Sequence, residues 1–413
     1  MSTHDAPDTA ALPPLIGVAP LMRRAFLGED LVPLGQQLLA RAQADPGDAH
    51  ACLDLSTVLQ LTGNRADALT LQADTIAVQP RYTLPARHAE PGLRLLVIMG
   101  PGDLMANTPV EFLVEDSDVT LELLYLTQDA DWPQEMPEHD VMLVAVAECD
   151  ANQALLQRLA AYVEGWPRPV INRPERIAVL SRDGVCAALA GVAGVDMPVT
   201  ARIERAQLQA LGTGELAISA LLPDGGFPII ARPLGSHAGT DLDKLDSPAA
   251  IAAYLDGVQG EQFYVSRFVD YRSADGMFRK YRIAVIEGTP YVCHFAISQH
   301  WMIHYLNAGM THSAAKRDEE AACMASFDAS FAVRHGAALR AIDARMGLPY
   351  LGIDCAETAA GALLIFEADN AMIVHAMDSI EMFPYKKPAM QKVFDAFRQL
   401  LEHARQGGTN GPA

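Results

Sequence analysis

Over residues 31–80 the apolar positions recur at the three- and four-residue spacing of amphipathic helices, with prolines Pro46 and Pro80 closing two segments. After a polar stretch, "RYTLPARHAEPG", which reads as a linker, the period changes. The runs "LRLLVIMG" (93–100), "TLELLYL" (120–126) and "DVMLVAVA" (140–147) are almost continuously apolar, as strands buried on both faces of a parallel sheet are. Residues 151–165 have the pattern of a crossover helix leading into "PVIN", so an open α/β sheet is expected. From about residue 198 the pattern turns to antiparallel pairs. "FPIIARPL" (227–234) predicts a strand, "GSHAGTDL" (235–242) a small-residue turn, and "EQFYVSRFVDY" (261–271) a long alternating strand. "MFRKYRIAVIEGTPYVCHFAIS" (277–298) predicts a hairpin turning at "EGTP". Helices at roughly 320–346, a strand pair "YLGIDCAE" and "GALLIFEAD", and a terminal helix over about 386–405 complete the chain.

Pro46 and Pro80 lie 34 positions apart, the period of a tetratricopeptide helix hairpin, and "LTGNRADAL" has the glycine turn and following alanine that such a hairpin uses. An ordinary helical hairpin has the same pattern. One and a half repeats cannot bury their own faces, so this arm must lean on the rest of the chain.

Composition narrows the function classes. Half of the 413 residues are apolar, enough for several cores. A formal charge of −20 argues against nucleic acid or an anionic membrane as the main partner, although a local basic cleft can still hold an anion. No apolar run reaches the roughly 18 to 20 residues of a spanning helix, and "MSTHDAPDTAALPP" has no basic region leading into an apolar one; a soluble cytoplasmic protein is expected. Six scattered cysteines without a C-x-x-C pair read as reduced core thiols.

The chemistry concentrates late in the chain. In "GALLIFEADNAMIVH" a strand runs into Glu367 and Asp369, two apart and so on one face, and antiparallel pairing with "YLGIDCAE" would bring Asp354 beside them. Carboxylates this close repel unless a cation compensates, and Mg2+ takes one or two carboxylates while leaving other positions to phosphates. A strand running out through an acidic turn would also fit. Arg232 precedes the glycine loop "GSHAG", whose backbone N–H groups can approach an anion, and Lys280 and Arg282 share one face of the hairpin. A nucleoside triphosphate is the usual phosphate donor for such a site. The bland alternative for the hairpin is a charged edge that blocks strand addition. Trp301, His304 and Tyr305 lie just beyond the hairpin, and His375 after the carboxylate strand; all four are candidates for substrate contact.

The ordered set "VINRPERIAVLSRDGV" with "VDMPVT", "FPIIARPLGSHAG", "YVSRFVDY", "KYRIAVIEG", "GIDCAE" and "FEADNAM" resembles the ATP-grasp superfamily, nearest to its ribosomal-protein glutamate ligase-like branch, over roughly residues 95–405. After the helical tetratricopeptide-like arm with its disordered amino end (1–85), the resemblance implies an ATP-grasp fold of α/β and α+β class: an open α/β pre-grasp domain (93–197), a small lobe (198–271) and a large lobe carrying the metal site (272–405), with ATP between the lobes. By residue it implies that Arg232 touches phosphate, that the loop with Gly235, Ser236, His237 and Gly239 folds over it, that Arg267, Phe268 and Val269 lie along adenine, and that Asp354, Glu367 and Asp369 hold Mg2+. Lys280 and Arg282 take the catalytic positions.

Three departures stand out. Arginine occupies position 232 where the family usually has lysine. Gly184 falls where a second family lysine is usual, leaving Arg182 to substitute or a phosphate contact missing. Asp369 stands where the last metal ligand is usually asparagine, with Asn370 turned to the other face. The expectation is an ADP-forming carboxylate–amine ligase acting through an acyl phosphate, with a peptide or small natural product among the candidate substrates and a homodimer left open. The alternatives are a nucleotide-binding interaction protein and an ATP-dependent phosphotransferase.

Overall fold

The computed structural model describes residues 14–88, 92–133, 135–236 and 239–407. Helices Val18–Phe26, Val32–Ala44, Ala49–Leu61 and Arg65–Val78 form the arm. Asp48 caps the third of them by accepting from Ala51 N at 2.9 Å, and Arg41 pairs with the same carboxylate at 2.8 Å. Leu21, Leu31, Leu38, Ala51, Leu55 and Val58 make a small core within the arm. Leu15, Ala49, Leu53 and Ile76 instead pack on the sheet that follows, as expected of helices too few to bury their own faces.

The first sheet contains β1 (Arg81–Leu84), β2 (Leu93–Met99), β3 (Val119–Tyr125), β4 (Val141–Val144) and β5 (Val170–Ile171), in the order β1-β3-β2-β4-β5. All are parallel except β1, which runs antiparallel to β3. The stretch expected as a linker therefore begins as an edge strand: Tyr82, 2% exposed, faces the core and draws the arm into the sheet. Both faces are covered, which explains the unalternating runs. Leu95, Val97, Leu121, Leu123 and Leu143 meet the arm and the terminal helix Lys386–Arg405, while Leu96, Ile98, Leu124, Met142 and Val144 meet helix Gln153–Tyr162.

The second sheet, β7 (Thr200–Glu204), β8 (Ile229–Pro233), β9 (Asp243–Leu245) and β10 (Gln262–Arg267), is antiparallel in the order β7-β10-β8-β9. Its strand β10 stops at Arg267, short of the length expected for 261–271. The third sheet joins β11 (Phe278–Ile286), β12 (Thr289–Ser298), β13 (Tyr350–Glu357), β14 (Leu363–Asp369) and the short β6 (Val195–Asp196), in the order β12-β11-β13-β14-β6. Two expected boundaries are crossed. β6, placed with the pre-grasp domain, pairs in parallel with β14, and the terminal helix, placed with the large lobe, lies on the first sheet, where Arg398 grips Asp118 through Nε at 2.6 Å. Among the described residues no helix is long and apolar enough to cross a membrane.

Candidate functional site

Alternation along the third sheet sorts its two faces. Tyr281, Ile283, Ile353 and Cys355 enter the core, so Lys280, Arg282, Gly352 and Asp354 point the other way. On β14, Ile365 also enters the core, and regular alternation would send Glu367 after it. A bulge intervenes. Cys355 pairs with Ile365 but Asp354 pairs with Glu367, leaving Phe366 without a partner, and Ala368 returns to the core. Glu367 and Asp369 thereby join Asp354 on the outer face. Gly352, opposite Asp369, is pressed by Met372: a Cβ there would lie 2.9 Å from the Met372 Cβ.

This face and the second sheet enclose a cleft with a cavity volume of about 320 Å³. Arg182, Arg232, Gly239, Arg267, Phe268, Val269, Lys280, Arg282, Trp301, His304, Asp354, Glu367 and Asp369 all line it. The structure thus brings together most of the residues singled out by sequence. Gly235 and Ser236 lie on the adjoining turn, Gly235 at φ +70°, where a side chain would be strained. His237 lies outside the described residues.

Its charges are interlocked. Arg282 donates from Nε to Asp354 Oδ1 at 2.8 Å and from Nη2 to Oδ2 at 3.0 Å, and Lys280 Nζ is 2.7 Å from the same Oδ2. Burial alone would raise the Asp354 pKa; Arg282 and Lys280 outweigh it and hold the carboxyl below its ordinary range. Arg282 Nη1 also donates to Ile373 O at 3.2 Å, and Lys280 to Ile303 O at 3.1 Å. Arg182, in the first turn of helix Arg182–Leu189, donates to Glu367 Oε1 at 2.6 Å and to Phe366 O at 3.0 Å. Gly184, two residues on, has no room for any side chain: a Cβ would stand 2.4 Å from Val179 O.

Arg232 differs from these cations. It is 8% exposed, and among the described residues it donates within its own turn, to Ser236 Oγ at 3.1 Å and to the Ser236 carbonyl. Among the described residues no carboxylate forms an ion pair with it. Its pKa is pushed down to about 10, first by burial and then by the neighbouring Arg182 charge. A buried guanidinium repelled by its neighbour is a site that an anion would relieve.

Asp354, Glu367 and Asp369 share one face of the cleft without closing into a three-ligand cluster. Among the described residues, no three His, Cys, Asp or Glu side chains are grouped to hold an ion. Asp354 is spent on Lys280 and Arg282, which occupy both of its oxygens. Beside it stand Asp369 and Glu367, the latter itself paired with Arg182. The Asp369 carboxyl is pushed up to about 6, first by burial and then by Glu367, so this pair retains the repulsion that a cation would relieve. Two substrate candidates are corrected. Tyr305 is turned into a buried network, where its hydroxyl contacts Glu320 at 3.3 Å and Lys386. His375 is packed against Phe26 and Phe112, accepts from Met377 N at 3.1 Å, and is held neutral, down to about 3, by burial and by Lys386. Asn370 does face away from the cleft, donating to Val146 O at 3.1 Å and tying the third sheet to the first.

Sequence reading missed Tyr264, which lines the cleft, and Glu148, which does not line it but feels the charge of Asp369. Tyr264 lines the cleft directly across from Arg232 on β10, and the alternation of Phe263 and Val265 into the core was the signal for it. Glu148 follows the β4 run at the carboxyl end of a parallel strand, where open sheets bind ligands. Its carboxyl is pushed up to about 7 by burial, then by Asp150, Asp369 and Asp183. Residues 99–103, where β2 ends, do not line the cleft, whereas Met105 does.

No protein-family model matches the sequence. The chain is similar in structure to a D-alanine–D-alanine ligase from Bacillus anthracis solved in complex with ATP, at 12% identity and a TM-score of 0.44, covering 76% of this chain and 99% of that one. It is also similar to a RimK domain ATP-grasp protein from Sphaerobacter thermophilus, at 14% identity and a TM-score of 0.42, covering 75% of this chain and 99% of that one. A third likeness is to the VanG D-Ala:D-Ser ligase from Enterococcus faecalis, at 12% identity and a TM-score of 0.45, with coverage of 75% and 99%.

Proposed function

We propose that this chain is an ATP-dependent ligase of ATP-grasp type that joins a carboxylate to an amine. The observation that carries the reading is Arg232: in a protein of net charge −20, a buried guanidinium with no carboxylate ion pair among the described residues lines a cleft with four more cations, Arg182, Arg267, Lys280 and Arg282. A polyphosphate fits that charge. The apolar wall of Ile230, Tyr264 and Phe268 beside it suits a flat base, and the ordered sequence motifs of the resemblance fall on the same cleft.

In this reading a substrate carboxylate oxygen attacks the γ-phosphorus, the bond to the β-phosphate oxygen breaks, and ADP leaves. An amine then adds to the acyl phosphate carbon, phosphate departs, the nitrogen loses a proton, and an amide remains. Arg232 and Arg182 bind phosphate oxygens. Lys280 and Arg282 stabilise the negative charge that develops at transfer, exchanging part of their hold on Asp354 for the reacting group. Mg2+, when bound by Glu367 and Asp369, would neutralise phosphate charge. A second reading, a nucleotide binder that does not turn over, draws on Gly184, which leaves no room for a lysine at that turn. The deciding experiment is an ADP-release screen over carboxylates, amines and peptides, with mass spectrometry for a product one water lighter than its two parts. ATP binding without ADP formation for any pair would support the second reading.

A further inference from the structure

The segment from Ala371 to Asp378 belongs to no helix or strand, yet it forms part of the cleft through Met372 and Ile373. Without a backbone ladder its conformation depends on what packs against it. Much of that packing comes from the first helix of the arm. Arg23 donates from Nη1 to Ala376 O at 3.0 Å, and its Nη2 binds Glu115 Oε1 at 2.6 Å. The Phe26 ring lies 5.5 Å from that of His375, and Ala19 and Met22 share a cluster with Phe112, Ile373 and Met377. The other end of the helix is pinned as well: Glu111 accepts from Val18 N and Ala19 N at 3.0 and 2.8 Å, and Asp54 from Ile16 N and Gly17 N at 2.8 and 3.0 Å. From this fixed helix the contacts continue without a break to Ile373, whose carbonyl accepts from Arg282.

We infer that Arg23 is a positioning residue: through Ala376 it holds the 371–378 segment that orients Arg282 and forms the wall of the cleft beside it. The arm is then a built-in part of the site, although none of its described residues lines the cleft. The structural claim stands on these contacts alone; its kinetic consequence rests on the ligase reading.

The test uses the full chain with Arg23→Ala, Arg23→Lys and Phe26→Ala, and with Arg24→Ala as the control, since Arg24 is one position along and pairs with Glu29 on the arm surface. Hydrogen exchange is followed by mass spectrometry. In Arg23→Ala, amides of 371–378 should exchange roughly tenfold faster, the loss of one charge-assisted hydrogen bond, while helix Ala49–Leu61 stays protected. Phe26→Ala should shift the same amides in the same direction, Arg23→Lys should restore part of the protection, and Arg24→Ala should change nothing there. ADP formation should fall about tenfold in kcat in Arg23→Ala, with ATP affinity by calorimetry within about threefold of wild type. Unchanged exchange over 371–378 in both Arg23→Ala and Phe26→Ala overturns the inference, as does an equal effect of Arg24→Ala. Loss of protection throughout the chain in Arg23→Ala would mark a merely structural role. If the wild type binds no ATP, the ligase reading fails and the exchange pattern still decides the role of Arg23.

Discussion

Arg282 and Asp354 stand opposite each other on β11 and β13, joined by two parallel hydrogen bonds of 2.8 and 3.0 Å. Such a fork adds geometric specificity to the ion pair, and here it lines the cleft with Lys280 on the same carboxylate. At the centre two cations share one carboxylate, and the Arg232 edge is cationic as well.

Replacing Asp354 by Asn leaves two cations facing a neutral group. Because Lys280 and Arg282 retain 20% and 26% side-chain exposure, the cost should be at the lower end for a broken buried pair, roughly 2 to 3 kcal/mol in denaturant unfolding. The sign with pH follows from the depressed pKa. The contribution is fully present above the ordinary value of 3.8 and is lost as pH falls through the lower folded value. Wild type should thus lose stability below about pH 4 along a slope that Asp354→Asn lacks.

Arg282→Ala separates catalysis from binding. If its guanidinium acts on charge that develops at transfer, kcat should fall by roughly 10² to 10³ while ATP affinity changes far less. Calorimetry beside an ADP assay reads both quantities, and a loss confined to affinity would assign Arg282 to binding only.

Arg232→Met tests the anion edge. Removing a buried cation that has no carboxylate ion pair among the described residues should leave the melting temperature unchanged or raise it, because the desolvation cost disappears. Affinity for ATP should nevertheless fall at least tenfold, by roughly 1.4 kcal/mol or more. A destabilised variant with full ATP affinity would show that Arg232 serves the fold instead.

Glu111 ties stability to pH at the arm. Burial pushes its carboxyl up to about 7 from 4.5, so the folded state binds the proton more tightly than the unfolded chain does. Stability should decline as pH rises from about 4.5 to 7, and Glu111→Gln should flatten that part of the profile. Unfolding curves in urea at several pH values give the comparison, and an unchanged slope in the variant would assign the decline to another group such as Asp54.

Removal of residues 1–80 should not leave a clean remainder. Leu53 and Ile76 pack on the first sheet and Tyr82 continues into it as β1, so truncation uncovers an apolar face. Light scattering should report association of the shortened chain; a soluble monomer with wild-type ATP affinity would show that the arm is dispensable.

Much of the architecture was legible in the sequence because it rests on local periodicity. The doubly buried runs at 93–100, 120–126 and 140–147 became parallel β2, β3 and β4, and the hairpin at "EGTP" and the terminal helix at 386–405 fell where the pattern placed them. Alternation alone put Lys280 with Arg282 and Glu367 with Asp369. What the sequence could not decide was which faces meet. The bulge at Phe366 moves Glu367 from the core side to the side of Asp354, and a bulge is set by cross-strand register, to which a single strand is blind. The same limit hid the capture of Asp354 by Arg282, since a carboxylate reads alike in sequence whether its neighbour across the sheet is a cation or another acid. Tyr305 and His375 lie near cleft residues along the chain but were turned inward by Lys386, Phe26 and Phe112. Residue type and spacing determine what each strand can offer; the long-range packing of arm, sheets and terminal helix decides which offers face one another, because contact energies between distant segments are not written in either segment alone.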